Sequence, residues 1–441
     1  MKRVFPLISP LFALILGSAV VTGCGGGGGG SSGIAPVDNV TSGSFVSGSI
    51  AGLGSIIVNG VRYDDTNATV RDLEGNEFLD TLEIGTNVIV DGGTLSAVTG
   101  KNYSYESSAS RIIVAEAFQG PIDAVTADSV TIFGASVACL PETIVEKNSV
   151  VSACVNLAAN DFAEVYAAYD ASLDKWKASR IEISNASNIY KSQGYVTNLQ
   201  PGISFELNGE VFDISAPNLQ SVQEGEEVHV VFSGSGTPPV WNVSRVIPAS
   251  MQAKVTSIWT DFDFDDRTIE LEGMVRNLSS PRFEVSGVVV DGSGISLSGL
   301  TDGSYVEVKG RFSNGVLVAE GLEKDDFELK RSKFELHGQI TGLTTSELSL
   351  GAGDFQVRGV TVTFSAADNT TQLQGQIQEG SFVEVDGVLR NGVFIASKIE
   401  QEDSEDRRGN AVSDRESYRE QSSSDDYDDD HNNDDNDDFD D

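Results

Sequence analysis

Histidine, tryptophan, methionine and cysteine each occur only three times in the 441 residues. The shortage of histidine weighs most heavily against hydrolytic chemistry, because a nucleophile needs a base and a group to orient that base. His431 lies in an aspartate-rich terminus, while His229 and His337 sit beside apolar residues in expected strands and read as outward-facing strand positions. No Gly-x-Ser-x-Gly elbow, phosphate loop or His-Glu-x-x-His is present. No catalytic residue is therefore assigned, and a non-enzymatic chain is expected. Basic residues are scarce too: 29 Lys and Arg stand against 67 Asp and Glu, for a net charge of -38. That balance argues against nucleic acid as a partner, since such binding begins with neutralised phosphates. Cations suit so acidic a surface better. Beyond the N-terminus no stretch repeats its apolar residues every 3.6 positions, so no amphipathic helix is expected.

The N-terminus is organised differently. Lys2 and Arg3 precede an apolar run from Val4 to Val21 that Pro6 and Pro10 interrupt, the layout of a secretory signal. The run ends in Val21-Thr22-Gly23-Cys24, which resembles the lipobox of bacterial lipoproteins. The resemblance implies a signal peptide at 1–23, lipidation of Cys24 and attachment to a membrane. Gly25 follows the cysteine where an aspartate would favour the inner membrane, so the implied destination is the outer membrane. Residues 24–43 are rich in Gly and Ser and read as a flexible tether. The other two cysteines, Cys139 and Cys154, form an even pair close in sequence, most simply a disulfide in an oxidising compartment. Residues 403–441 hold seventeen acids against Arg407, Arg408, Arg415 and Arg419, with almost nothing apolar. A disordered tail is expected there.

Between these ends one pattern is written five times. Its first clause is apolar-x-apolar-x-Gly-x-x-apolar: Ile56, Val58, Gly60, Tyr63; Val130, Ile132, Gly134, Val137; Phe205, Leu207, Gly209, Phe212; Phe283, Val285, Gly287, Val290; Phe355, Val357, Gly359, Val362. The second is Gly-x-x-Val-x-Val-x-Gly, complete at Gly85–Gly92, Gly303–Gly310 and Gly380–Gly387. A closing Ala-Ser-Arg-Ile or a variant follows, with Arg111, Arg180, Arg245 and Lys398 at one recurring position. On so acidic a body these cations are expected to neutralise neighbouring carboxylates. The pattern divides the chain into repeats at 44–115, 116–187, 188–249, 267–325 and 326–402, with a linker strand at 250–266.

Within the clauses apolar and polar residues alternate, as Val306 and Val308 do against Glu307 and Lys309, or Val383 and Val385 against Glu384 and Asp386. That is the period of a half-buried strand. Glycine at both ends of the second clause marks tight turns with positive φ or sharp bends. Asn314-Gly315 and Asn391-Gly392 suit type I′ hairpins. Five or six short strands per repeat predict an all-β chain of small antiparallel OB-like barrels, since closure removes exposed edges. Barrels in series predict an elongated array.

The repeat resembles the bacterial family called domain of unknown function 5666, over roughly Phe45 to Glu400. The resemblance is closest in repeats four and five and weakest in repeat two, where Asn160 and Ala167 replace both glycines of the second clause. In repeat three Phe232 replaces the last glycine. The resemblance implies a fold and a secreted or lipoprotein setting, and no reaction or cofactor.

One metal candidate stands out. Asp261, Asp263, Asp265 and Glu272 are spaced like positions 1, 3, 5 and 12 of a calcium loop, yet Asp266 replaces its glycine and no helix flanks it. The alternative is a strand with Ile258, Thr260, Phe262 and Phe264 on one face and the aspartates in water. The expected function is an outer-membrane lipoprotein that presents its barrels for binding or envelope structure, with an envelope protein or a glycan as partner. A carbohydrate- or matrix-binding role, calcium-assisted, would use Trp176, Trp241 and Trp259, and a hydrolase is the remote reading.

Overall fold

Alternation becomes strand across residues 43–402, which the computed structural model describes except for 100, 148–149, 171–172, 216–221, 236–239, 259–263, 265–266, 326–331, 345–350 and 367–369. The expected signal peptide, Cys24, its tether up to residue 42, the acidic tail and His431 lie outside the described residues, as do Asp261, Asp263, Asp265 and Trp259.

Repeat four shows the plan. Its five strands are Thr268–Ser279, Arg282–Val285, Val288–Asp291, Tyr305–Ser313 and Val316–Asp325. The first three pair antiparallel in order. The third then runs parallel to the fifth, the fifth antiparallel to the fourth, and the fourth antiparallel to the first. The circuit 1-2-3-5-4-1 is closed, which is the OB-type barrel. The same circuit closes in repeat one and in repeat five. In repeats two and three the opening strand is split in two, and the circuit still closes.

The repeated clauses account for this geometry. No apolar residue named for the first clause is more than 2% exposed, so the clause is barrel core. Its turn is type I′, with φ of 46–52° at the first residue and 71–87° at the glycine in all five copies. Asn314-Gly315 and Asn391-Gly392 adopt the same turn. The two glycines of the second clause do different things. The first has positive φ, and Asn160 in repeat two supplies the same conformation at φ 71°. The second stands at a β-bulge, where a Cβ on Gly310 would run into the Val318 carbonyl. Ala167 and Phe232 occupy this place in repeats two and three, and the bulge persists.

The turn also has a fixed partner. Each opening glycine (Gly48, Gly120, Gly194, Gly273, Gly338) lies beneath the first turn residue. In four repeats that residue donates to the carbonyl preceding the glycine: Asn59 Nδ2 to Ser47 at 3.0 Å, Asn208 Nδ2 to Gln193 at 3.1 Å, Ser286 Oγ to Glu272 at 2.8 Å and Arg358 Nε to His337 at 2.6 Å. In repeat two the Phe133 ring covers Gly120 instead.

The repeats are not strung in line. Ser44–Ser47 of repeat one pairs parallel with Thr268–Leu271 of repeat four, and Gly52 and Leu53 pair with Glu335 and Leu336 of repeat five. Lys191 of repeat three pairs with Gln119 of repeat two. One apolar core joins repeats one and five, and another joins two and three. The elongated array expected from barrels in series therefore gives way to barrels fused through their opening strands. The expected linker strand is also corrected, because Met251–Ile258 is an α-helix. Ser250 caps it through its hydroxyl, which accepts from the Ala253 amide at 3.3 Å. Cys139 and Cys154 form the expected disulfide, with Cα atoms 6.3 Å apart across 15 residues. A loop of that length stabilises by about 3 kcal/mol in the chain-entropy account.

Candidate functional site

Fusing barrels buries the outer faces of their strands. Residues that alternation assigns to water end up between repeats: Lys309 is 2% exposed and Glu384 3%. Both strand histidines do point away from their own barrels, and both are buried by a neighbouring one. Sequence periodicity separates core from exterior, but it carries no sign of what covers the exterior.

Where the first four repeats meet there is a cavity of about 130 Å³, with Asn87, Trp176, Tyr195, Lys254, Glu272 and Arg276 in its wall. The Arg276 guanidinium lies over the Tyr195 ring, 3.6 Å from its centroid. Glu227 ties this wall together, accepting from Tyr195 Oη and Gln193 Nε2, each at 2.6 Å. Burial raises the Tyr195 hydroxyl above its ordinary pKa, and Glu227 adds to the rise. Desolvation lowers that of Lys254. The wall thus sets charges of both signs beside Trp176 and Tyr195, whose rings are packed by Tyr169 and Arg276.

Two of the buried charge clusters at the seams contain a histidine. In the first, Lys191 of repeat three donates to Glu116 Oε1 and, at 2.5 Å, to Glu74 Oε2 of repeat one. The two carboxylates hold the Lys191 ammonium above its ordinary range despite burial. His229 stands beside them with its Nε2 3.4 Å from Glu74 Oε1, and desolvation pushes it down to about 3. Desolvation raises Glu74 as well. Glu164, bonded by Gln119 Nε2 at 3.2 Å, is raised to about 7 by burial and then by Glu116. In the second cluster His337 Nε2 bonds Glu335 Oε1 at 2.6 Å and its Nδ1 bonds Glu402 Oε1. These two carboxylates outweigh desolvation and lift His337 to about 9. Lys101 of repeat one closes the seam on Glu384 at 2.7 Å, and Asn102 bonds Asp386. Burial, followed by Glu335 and Glu384, raises Asp386 to about 6.

The candidates from sequence that fall within the described residues take separate places. Glu272 is 7% exposed on the strand Thr268–Ser279 and lines the cavity. Trp176 lines it too, whereas Trp241 packs among Phe133, Tyr190 and Phe232 and donates to Glu210 at 3.0 Å. Of the closing-clause cations, Arg111 pairs with Asp91 at 2.7 Å, Arg180 with Glu146 at 2.5 Å and Lys398 with Glu400 at 2.5 Å, as expected of charge neutralisers. Arg245 differs, donating to the Glu74 carbonyl at 2.6 Å. Sequence reasoning missed Glu74, Glu116 and Lys191, which belong to no repeated clause.

Comparisons with known proteins agree with the repeat. The family model described as Domain of unknown function (DUF5666) matches residues 119–182, 272–323 and 337–400. Repeat two is therefore matched although it lacks both glycines, in keeping with its Asn160 turn and persistent bulge, while repeats one and three fall outside the matched segments. No curated protein matches the chain. A solved structure of drosophila Unr CSD456 aligns over 50% of this chain and 100% of its own, at 13% identity and a TM-score of 0.15. The chain carries tandem DUF5666 repeats.

Proposed function

We propose that the protein is a lipid-anchored component of the outer membrane, without catalytic activity of its own, whose fused barrels form a scaffold for binding at the cell envelope. One observation carries the scaffold part of this reading: the fixed apolar and glycine letters of the repeat build cores, turns and bulges, while most charged residues of the seams and the cavity wall are variable ones. Cys24 is the anchor, and its six following glycines are the tether. Growth of a Gram-negative host on labelled palmitate tests the anchor. The full chain takes up label and fractionates with the outer membrane, and Cys24→Ala is unlabelled and released in soluble form. Label retained in Cys24→Ala would sink the anchor. A second reading, glycan binding, draws on Trp176 and Tyr195 in the cavity wall. It is tested on a glycan array with and without Ca²⁺, where a blank result in both conditions removes it.

A further inference from the structure

We propose that Glu74, Glu116 and His229 form a binding site for one divalent transition-metal ion of the zinc class, at the seam of the first three repeats. One donor atom from each side chain lies within 4.8 Å of the other two. His229 has no exposed surface, and neither of its ring nitrogens has a hydrogen-bond partner among the described residues. Burying an imidazole so unmet is unfavourable unless something else engages it. Glu74 Oε1 is buried and unpartnered as well, and it stands 3.4 Å from His229 Nε2. Two donors held about 2.0–2.1 Å from one tetrahedral zinc lie roughly 3.3–3.4 Å apart, so this spacing is that of co-ligands.

Lys191 leaves the opening intact. Its ammonium engages Glu74 Oε2 and Glu116 Oε1, on the carboxylate edges, and Glu74 Oε1 remains directed toward the imidazole. Lys191 then holds the ligand carboxylates in place through Glu74 Oε2 and Glu116 Oε1, as outer-shell groups do around metals. One nitrogen and two oxygens suit zinc and its first-row neighbours better than Ca²⁺ or Mg²⁺, which take oxygen. The seam at His337 offers no such opening, because Glu335 and Glu402 already hold both ring nitrogens.

The test uses the full chain, stripped with chelator and titrated with Co²⁺ against excess Mg²⁺ to occupy weak acidic sites. One equivalent is expected to bind with visible ligand-field bands, and His229→Gln is expected to weaken that binding at least tenfold while His337→Gln leaves it unchanged. Equal binding by His229→Gln, or no uptake above the Mg²⁺ background, overturns the site. X-ray absorption gives a readout that does not alter the ligand residues. In the zinc-loaded variant His337→Gln, His431→Gln, His229 is the sole histidine of the chain. One imidazole nitrogen in its zinc shell supports the site, and an oxygen-only shell overturns it. Neither result bears on the lipid at Cys24.

Discussion

His229 and His337 hold comparable places: each projects outward from its barrel, on a long strand, and is covered by another repeat. Their surroundings nonetheless drive them to opposite states. His337 is gripped by two carboxylates and stays charged through neutral pH, so its seam is a completed ion network. Burial keeps His229 neutral, and it stands beside carboxylates that Lys191 bridges, with Lys254 and Arg245 adding positive charge nearby. The difference lies in the hydrogen bonds: two carboxylates grip the His337 ring and offset its desolvation, whereas none among the described residues bonds the His229 ring. It also separates a seam that is complete from one that still has room for a ligand.

The largest expected effect comes from removing the cation of the first seam. Lys191→Met leaves Glu74 and Glu116 buried without their shared partner, and is expected to cost about 3–5 kcal/mol of unfolding free energy in denaturant at mildly alkaline pH. The cost should shrink in acid, where Glu74, raised by burial, takes a proton. A loss below about 1 kcal/mol, the range of exposed pairs, would show that this seam is wet and that the contrast with His337 is unfounded. Next comes His337→Gln. A histidine lifted from 6.5 to about 9 contributes stability that is full below pH 6.5 and is lost as pH rises through 9. The shift corresponds to roughly 3 kcal/mol at most. The variant should therefore be weaker than wild type in mild acid and should converge on it in strong alkali. A penalty that stays constant across this window would place His337 outside any ion network.

The legibility of the two seams was uneven, for a physical reason. Residues two apart share a strand face, so Glu335 beside His337 could be read directly from the chain. Glu227 stands in the same relation to His229, but Gln193 and Tyr195 have claimed its carboxylate. Competition of that kind is decided by pairing across strands, which one sequence does not display. Barrel core and turns were legible because each depends on local alternation or on glycine, as Phe205, Leu207, Gly209 and Phe212 illustrate. Glu402 and Glu74 were not, because each acts on a histidine far away in the chain. The helix at Met251–Ile258 was too short for its period to register, though Ser250 before a run of good helix formers was a usable signal.

The variant with the smallest effect at neutral pH should sharpen the comparison most. In chelator-treated protein, His229→Leu replaces an imidazole with unmet nitrogens by an apolar side chain of similar size, and near neutral pH stability should change by no more than about 1 kcal/mol. The pH dependence is where the variant should differ. His229 is pushed from 6.5 down to about 3, so its contribution is present above pH 6.5 and is lost as pH falls toward 3. Over that interval the unfolded imidazole binds a proton that the folded one refuses. His229→Leu has no such proton to bind, so it should gain on wild type by up to about 1.4 kcal/mol for each pH unit below 6.5. Denaturant unfolding at several acid pH values measures the divergence directly. If the two proteins instead run parallel, the folded imidazole accepts its proton and donates it to Glu74 Oε1. The two seams would then be of one kind, both complete, and His229 would have no lone pair to offer a metal.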